Sequence, residues 1–592
     1  MWPSRSVIDF NFPSISKEWT EPILSNILIL GYFKETMKIL LIQPPIQDFY
    51  QTRIRTQPIG LAYLAASLQK HGYEVKILDC QTGKKKAIPI PSELSYLQDY
   101  YPFDDRSPFK LYSGYYHFGM SWDEIRERVE DSKADVFGIS SSFTPYHGEA
   151  LQIARIIKEW NRKKIVVMGG AHVSCDPEGV LKNPFIDYVV LGEGEYRFPL
   201  LLKQIEAGKI GKVEEIDGIG YRADGEIRIH PLETFIPNLD SLAYPSRGLF
   251  DLSRYQIRKN QSTMIITSRG CPHRCAYCST HLVMGTSFRM RSPEGILQEM
   301  MECKRQYGIE IFDIEDDNFT NNKEQAKRLM RLIIETFGEG NLELSAMNGI
   351  SFASLDEELL KLMKRAGFKT INLSYVSTNP STKERMRRPK TTTQFDQILG
   401  ETERVGLNVI AYAILGLPSQ TVEEMVDTLI YLMGKKVLIG PSVYYPTPGT
   451  SLFERCKEEG ILPPHSVQWR SSAFPIETED FDRLDITTLF RLARTINFIK
   501  GKMDAGELEE GMTWKGLYRL LKEKVKGEVK EDEIIWTDLL LLLENERSFF
   551  SLKKDSGRKI TVEKENTSKK VLDYFFDKAW EKPILKSHAS II

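Results

Sequence analysis

Three of the chain's seven cysteines fall in the run Ser268-Arg269-Gly270-Cys271-Pro272-His273-Arg274-Cys275-Ala276-Tyr277-Cys278, a C-x3-C-x2-C spacing. Thiolates are soft ligands, and three on one short loop suit an iron–sulfur cluster or zinc. A structural zinc wants a fourth ligand to close its tetrahedron, and His273 and His281 stand near enough in sequence to offer one. Three thiolates on a four-iron cubane instead leave one iron open to a substrate or cofactor. Spacing alone keeps both readings open. The other cysteines, Cys80, Cys175, Cys303 and Cys456, are scattered. An odd total in a long chain argues against a disulfide framework.

The chain has 592 residues, 41% hydrophobic and 27% charged. That is ordinary globular composition, long enough for roughly two to four domains. Lys+Arg is 79 and Asp+Glu 81, a net charge of -2, so bulk charge gives no support for nucleic-acid binding. No apolar run approaches the ~18 residues of a membrane span, and the N-terminus lacks a secretory pattern. The sequence reads as a soluble, cytoplasmic protein with no nucleic-acid partner.

The cysteine run follows a strand predicted at Met264–Thr267. Five more are predicted at Ile309–Ile314, Leu342–Ser345, Thr370–Leu373, Val409–Leu415 and Leu438–Tyr444, with helices between. Six strands joined by right-handed crossovers curl into a partial (β/α) barrel over 261–451, whose active residues sit at the C-terminal strand ends. Those ends read Glu315-Asp316-Asp317-Asn318-Phe319, Asn348-Gly349, Ser374-Tyr375-Val376-Ser377 and Leu415-Gly416-Leu417-Pro418. Carboxylates there can accept from an ammonium group, or Asp and Asn can simply cap a helix. Arg289 and Arg291 follow the cysteine run and can pair with a ligand carboxylate or remain solvated.

Residues 37–207 alternate short apolar strands (Ile39–Ile42, Val75–Leu78, Val136–Ser140, Ile165–Met168, Tyr188–Leu191) with helices. This is the signature of a doubly wound α/β domain, flavodoxin-like or Rossmann-like, with an insertion at 81–116. Its strand ends are small or polar: Gln43-Pro44-Pro45, Ser140-Ser141-Ser142, Gly169-Gly170-Ala171 and Gly192-Glu193-Gly194-Glu195. Such ends admit a large ligand close to the backbone. No GxGxxG follows the first strand, which disfavours an ordinary dinucleotide site. Residues 208–260 form a connector with a hairpin expected at Asp224-Gly225. Residues 452–592 read as a packed, mostly helical C-terminal domain with a hairpin at Asp555-Ser556-Gly557. Residues 1–36 read as a loosely ordered arm, or as a segment ahead of a true start at Met37.

The cysteine motif, with aromatic Tyr277 before the third cysteine, resembles that of radical S-adenosylmethionine (SAM) enzymes. The α/β domain ahead of it resembles a cobalamin (B12)-binding domain, on Pro58-Ile59-Gly60-Leu61-Ala62-Tyr63-Leu64-Ala65, Gly169-Gly170-Ala171-His172 and Gly192-Glu193-Gly194-Glu195. Together, over about 37–450, they resemble radical SAM proteins with an N-terminal B12-binding domain. The resemblance implies a [4Fe–4S] cluster on Cys271, Cys275 and Cys278, with SAM on the open iron. It places the backbone around Tyr277, with Asp316, Asp317, Asn348, Gly416 and Pro418, against SAM. Ser140, Ser141, Gly169, Gly170 and Glu193 would then line the cobalamin groove.

Two departures stand out. Where many relatives have Gly-Ile-Glu-Ser, this chain has Ser374-Tyr375-Val376-Ser377, and Gly-Leu-Pro continues as Ser419-Gln420-Thr421. None of the nine histidines follows an aspartate by two residues, so the resemblance implies base-off cobalamin without a protein histidine ligand, His172 included. The implied activity is methyl transfer to an unactivated carbon of a small molecule, with electrons from a flavodoxin or ferredoxin and the C-terminal domain closing the cavity. The alternatives are a non-methylating cyclase or rearrangement enzyme of the same build, a zinc- or cluster-stabilised binding module, and a B12 domain that binds no cobalamin.

Overall fold

The computed structural model describes residues 37–50, 56–208, 210–388, 391–525, 534–544, 547–554 and 560–587. The expected arm at 1–36 and the turn at 555–557 lie outside the described residues. Five parallel strands form the first sheet: β1 (Lys38–Gln43), β2 (Glu74–Asp79), β3 (Val136–Ser140), β4 (Ile165–Gly169) and β5 (Tyr188–Val190). Their spatial order, β2-β1-β3-β4-β5, is the flavodoxin-like one, with its switch point between β1 and β3. Alternate β1 residues serve two cores. Leu40 and Ile42 pack with Phe137 and Ile139 on one face, and Ile39 and Leu41 pack with Val136 and Phe198 on the other. This is why the strand reads as a continuous apolar run.

Two antiparallel strands, β6 (Ile219–Ala223) and β7 (Glu226–Ile229), extend the sheet beyond β5. Asp224 and Gly225 turn between them at φ 52° and 82°, the left-handed pair that a two-residue hairpin prefers. The insertion at 81–116 holds more order than its composition suggested. Lys84–Ile88 and Ile46–Asp48 both pair antiparallel with Tyr115–Gly119. Phe49, Tyr101, Tyr112 and Tyr115 pack edge-on or tilted above this small sheet.

The barrel strands are β8 (Asn260–Ile265), β9 (Ile311–Ile314), β10 (Glu343–Ser345), β11 (Thr370–Val376), β12 (Asn408–Leu415) and β13 (Leu438–Val443). They form two parallel ladders, β8-β9-β10 and β11-β12-β13. The ladders are joined by single bridges, Leu344 to Phe368 and Ile350 to Leu373. The outer helices start where the sequence says they should. Ser292, Asn322, Asp356, Thr391 and Thr421 each cap a helix by accepting a backbone N–H three residues on.

An open barrel leaves an edge strand that must be protected. Helix α1 (Arg483–Asp504) covers it: Asn497 accepts from Ile439 N at 2.8 Å and donates to Ile439 O at 2.7 Å. The C-terminal region, expected to close the cavity, thus covers the β13 side of the barrel. No helix among the described residues is long and apolar enough to cross a membrane.

Candidate functional site

A cavity of about 480 Å³ lies where the carboxyl ends of the first sheet face the mouth of the barrel. From the α/β half it is lined by Pro44, Ser140, Ser141, Gly169, Gly170 and Gly192, and from the barrel by Ser268, Arg269, Glu315, Asp317 and Asn348. No described residue of the C-terminal region lines it; Arg470 and Ser472 of that region instead bind Pro145 O and Asp48 of the α/β half beside it. Gly170 shows why the groove is built from small residues. Its φ is +115°, and a Cβ there would stand 2.7 Å from Ser141 O. Only glycine lets the β3 and β4 ends approach so closely.

The cysteine loop leaves the barrel after β8 through Gly270, at φ +83°, where a Cβ would meet Ser287 O at 2.4 Å. Cys278 N donates to Cys275 O at 3.1 Å, Ala276 N to Met386 O at 3.3 Å and Leu452 N to Ala276 O at 3.0 Å. The loop is therefore tied to a distant segment of the barrel and to the start of the C-terminal region. Burial, and then the neighbouring thiols, push the Cys271 thiol up; burial does the same to Cys278. Two N–H donors aim at sulfur: Asn318 Nδ2 lies 3.9 Å from Cys271 Sγ, and Arg388 Nη1 3.9 Å from Cys275 Sγ. Asn318 Oδ1 and His281 Nδ1 are buried beside this loop without a hydrogen-bond partner. Among the described residues no three His, Cys, Asp or Glu side chains converge at metal-binding geometry. All seven cysteines are free.

On the barrel side Glu315, Asp317 and Asn348 face the cavity. Burial first, then the Asp313 charge, pushes the Glu315 carboxyl up to about 7, and Asn348 Nδ2 donates to it at 2.5 Å. Asp317 accepts from Thr280 Oγ1 at 3.1 Å and from Gly270 N at 3.3 Å, so it also braces the cysteine loop.

Several expected ligand contacts have other duties. Asp316 is buried, with both carboxylate oxygens taken by Thr267 and Ser268, so it pins the β9 end to the β8 end and does not line the cavity. Arg291 pairs with Glu299 at 2.5 Å and Arg289 with Glu193 at 2.7 Å. Neither is solvated, and neither is free for a ligand carboxylate. Glu193 lines the cavity, but its carboxylate is held by Arg269 and Arg289. Gly416 and Pro418 are buried away from the cavity. A Cβ on Gly416 would stand 3.4 Å from Ile486 of α1. Tyr277 packs against the barrel core outside the cavity. His172 is buried, with Nδ1 3.1 Å from Thr144 Oγ1, and none of the described histidines lines the cavity.

In sequence Arg269 and Glu195 stand out only as members of their runs, and Arg388 carries no signal. Arg269 stands one residue before the glycine that opens the cysteine loop, which is the only positional hint. The end of β11, where the familiar glutamate is absent, holds a register shift between Ser374 and Val376. Val376 sits at φ +74°, a strained conformation for a β-branched residue.

With this geometry in hand, the comparisons are informative. The Radical SAM superfamily model matches residues 265–432, and the B12 binding domain model matches residues 113–202. Cytidylyl-2-hydroxyethylphosphonate methyltransferase of Streptomyces wedmorensis is 27% identical over 73% of this chain and 84% of that protein. An uncharacterized methyltransferase, PH0819 of Pyrococcus horikoshii, is 28% identical over 79% of this chain and 94% of its own length. Among solved structures, the radical SAM methyltransferase TsrM from Kitasatospora setae, with cobalamin and a [4Fe-4S] cluster bound, superposes with a TM-score of 0.55. It is 20% identical, covering 72% of this chain and 78% of TsrM. The cobalamin-dependent radical enzyme OxsB gives 0.59 at 15% identity, covering 86% of this chain and 72% of OxsB. These likenesses bear out the flavodoxin-like domain followed by a partial barrel.

Proposed function

We propose that this chain, which pairs a B12-binding domain with a radical SAM domain, is a cobalamin-dependent radical SAM enzyme. Its reaction would cleave SAM reductively and transfer a methyl group to an unactivated carbon of a small-molecule substrate. The observation that carries this reading is the single cavity shared by the strand ends of the α/β half and the barrel mouth. The methyltransferase names of relatives that align over most of the chain support it.

The residues fit the groups required. Three thiols on one loop, two N–H donors aimed at sulfur and two orphaned buried polar atoms beside them suit a cluster on Cys271, Cys275 and Cys278. The groove of small residues at Ser140, Ser141, Gly169 and Gly170 suits a large planar cofactor approached through backbone atoms. None of the described histidines lines it, and we assign cobalamin base-off binding without a protein histidine ligand. When bound, the cluster supplies one electron for SAM cleavage and cobalamin supplies a transferable methyl group.

The chain's own residues would orient and enclose the reactants. Glu315 and Asp317 offer acceptors to the SAM ammonium, and Asn348 offers a donor and an acceptor beside them. The protein on both sides of the cavity keeps water from a reactive carbon. We assign the electron donor to a flavodoxin or ferredoxin. We place the enzyme in the cytoplasm, in keeping with seven free cysteines.

Product analysis tests the reading. Anaerobically reconstituted enzyme with its true substrate should release both 5′-deoxyadenosine and S-adenosylhomocysteine. Deoxyadenosine alone would point to the cyclase-type chemistry, and one zinc with no iron would end the radical proposal. Cys275→Ala should abolish SAM cleavage and leave cobalamin uptake nearly intact.

A further inference from the structure

We propose that Glu193, Glu195, Arg269 and Arg289 form a clasp that couples occupancy of the α/β groove to closure of the cysteine loop, making them positioning residues for the reaction. The proposal rests on reading the groove as the cobalamin site and the barrel mouth as the SAM site.

The argument begins at the base of the cysteine loop. Ser268–Arg269 pairs antiparallel with Arg289–Met290, and Arg269 lies directly opposite Arg289. Two like charges facing each other across a ladder destabilise it. Burial makes the repulsion worse: the side chains of Arg269 and Arg289 are only 6% and 7% exposed. The loop that carries Cys271, Cys275 and Cys278 is thus closed by a pair of strands that repel.

The compensating charge comes from the other half of the protein. Glu193, at the end of β5, accepts from Arg269 Nη1 at 2.9 Å and from Arg289 Nη1 at 2.7 Å. Its side chain is wholly buried, and Ile236 N donates to it at 2.8 Å. Glu195 takes the other Arg269 nitrogen at 2.6 Å. Burial pushes the Glu195 carboxyl up, but the Arg269 charge and hydrogen bond outweigh it and hold the group below the usual carboxylate range.

The same segment lines the groove. Gly192, Glu193, Gly194 and Glu195 border the cavity, as do Ser268 and Arg269. A Cβ on Gly192, at φ +61°, would stand 3.1 Å from Val283 O in the short helix Thr280–Val283 that follows the third cysteine. A ligand that orders the β5 end therefore orders the carboxylates that close the cysteine loop, and by linkage a ligand on the loop side favours the same arrangement. Removing one partner of such a buried pair leaves the other charge uncompensated, so the arginines depend on the β5-end carboxylates staying in place.

The test is the dissociation constant of SAM, measured by anaerobic equilibrium dialysis on cluster-loaded protein with and without hydroxocobalamin. Wild type should bind SAM roughly tenfold more tightly when cobalamin is present. Glu193→Gln, which removes the charge between the arginines, should bring that ratio to about one. Glu195→Gln, which keeps Glu193 in place, should lower it part of the way and carries the test alone if the first variant does not fold. Wild type that binds both ligands with a ratio of one overturns the clasp, as does a folded variant set that keeps the wild-type ratio. Wild type that takes up no cobalamin or binds no SAM refutes the functional reading instead, so the two failures are distinguishable.

Discussion

Arg388 points Nη1 at the sulfur of Cys275 from 3.9 Å while Nη2 reaches Ser374 O at 3.5 Å. No carboxylate pairs with it among the described residues. A cation and hydrogen-bond donor beside a thiolate ligand stabilises the more negative, reduced form of a cluster and so raises its potential. Arg388→Met should lower the midpoint of the cluster by about 60 mV, a tenfold change in the one-electron equilibrium. Arg388→Lys should recover part of it. A redox titration followed by electron paramagnetic resonance reads the shift directly, and an unchanged midpoint would show that the guanidinium does not act on the cluster.

Glu315 gives the barrel mouth a pH dependence. Burial first, with Asp313, Asp316 and Asp317 adding negative charge nearby and Asn348 opposing, puts its carboxyl at about 7. Its negative charge is therefore absent well below that pH and present above it. SAM affinity should rise as pH increases from 6 to 8, and Glu315→Gln should flatten the rise. The folded-state pKa is raised, so the group contributes stability below the unfolded value near 4.5 and loses it as pH climbs through about 7. The ligand-free glutamine variant should consequently melt higher than wild type at pH 8.

The α/β half should be acid-sensitive for the opposite reason. The His147 and His172 rings lie tilted at 49° to each other with centroids 4.2 Å apart. Burial, with the neighbouring His172 adding for His147, lowers His147 to about 3, and burial lowers His172 to about 4. Both fold as neutral rings. A depressed histidine stabilises the fold above its unfolded pKa near 6.5 and loses that contribution as pH falls toward the folded value. Each ring costs about 1.4 kcal/mol per pH unit across that range. His172→Gln should reduce the slope of melting temperature against pH between 6.5 and 4.5, and an unchanged slope would show that His172 is not the group responsible.

How much of this was legible in the sequence follows from range. The C-x3-C-x2-C run, the Asp224-Gly225 hairpin and the strand ends at Ser140 and Gly169 are local patterns, and each stands where periodicity and turn chemistry put it. The assignments that changed depend on contacts between residues far apart in the chain. Arg289 looked like a ligand-binding or solvated arginine because nothing nearby in sequence names Glu193, 96 positions away, as its partner. Asp316 and Asp317 are adjacent and of one type. Yet β9 turns the first into Thr267 and Ser268 while the second opens on the cavity. Gly416 and Pro418 kept the expected loop, but helix α1, from outside the recognisable part of the chain, lies over it.

Gly170 offers a sharper test of the groove than any charged residue, because its role is steric. A side chain there would collide with Ser141 O at 2.7 Å and would have to adopt φ +115°. Backbone strain of this kind costs about 1–3 kcal/mol, and relief by moving the β3 end would displace Ser140 and Ser141, which line the same wall. Gly170→Ala should therefore weaken cobalamin uptake at least tenfold while iron content stays at the wild-type level. The three cysteines are held through Gly270, Met386 and Leu452, and the chain meets the segment that follows β4 only after the third cysteine, where Ser279 hydrogen-bonds Cys175. Absorbance of bound corrin against iron, measured on one preparation, separates the two. Normal corrin binding by the alanine variant would move the cofactor off this wall of the cavity.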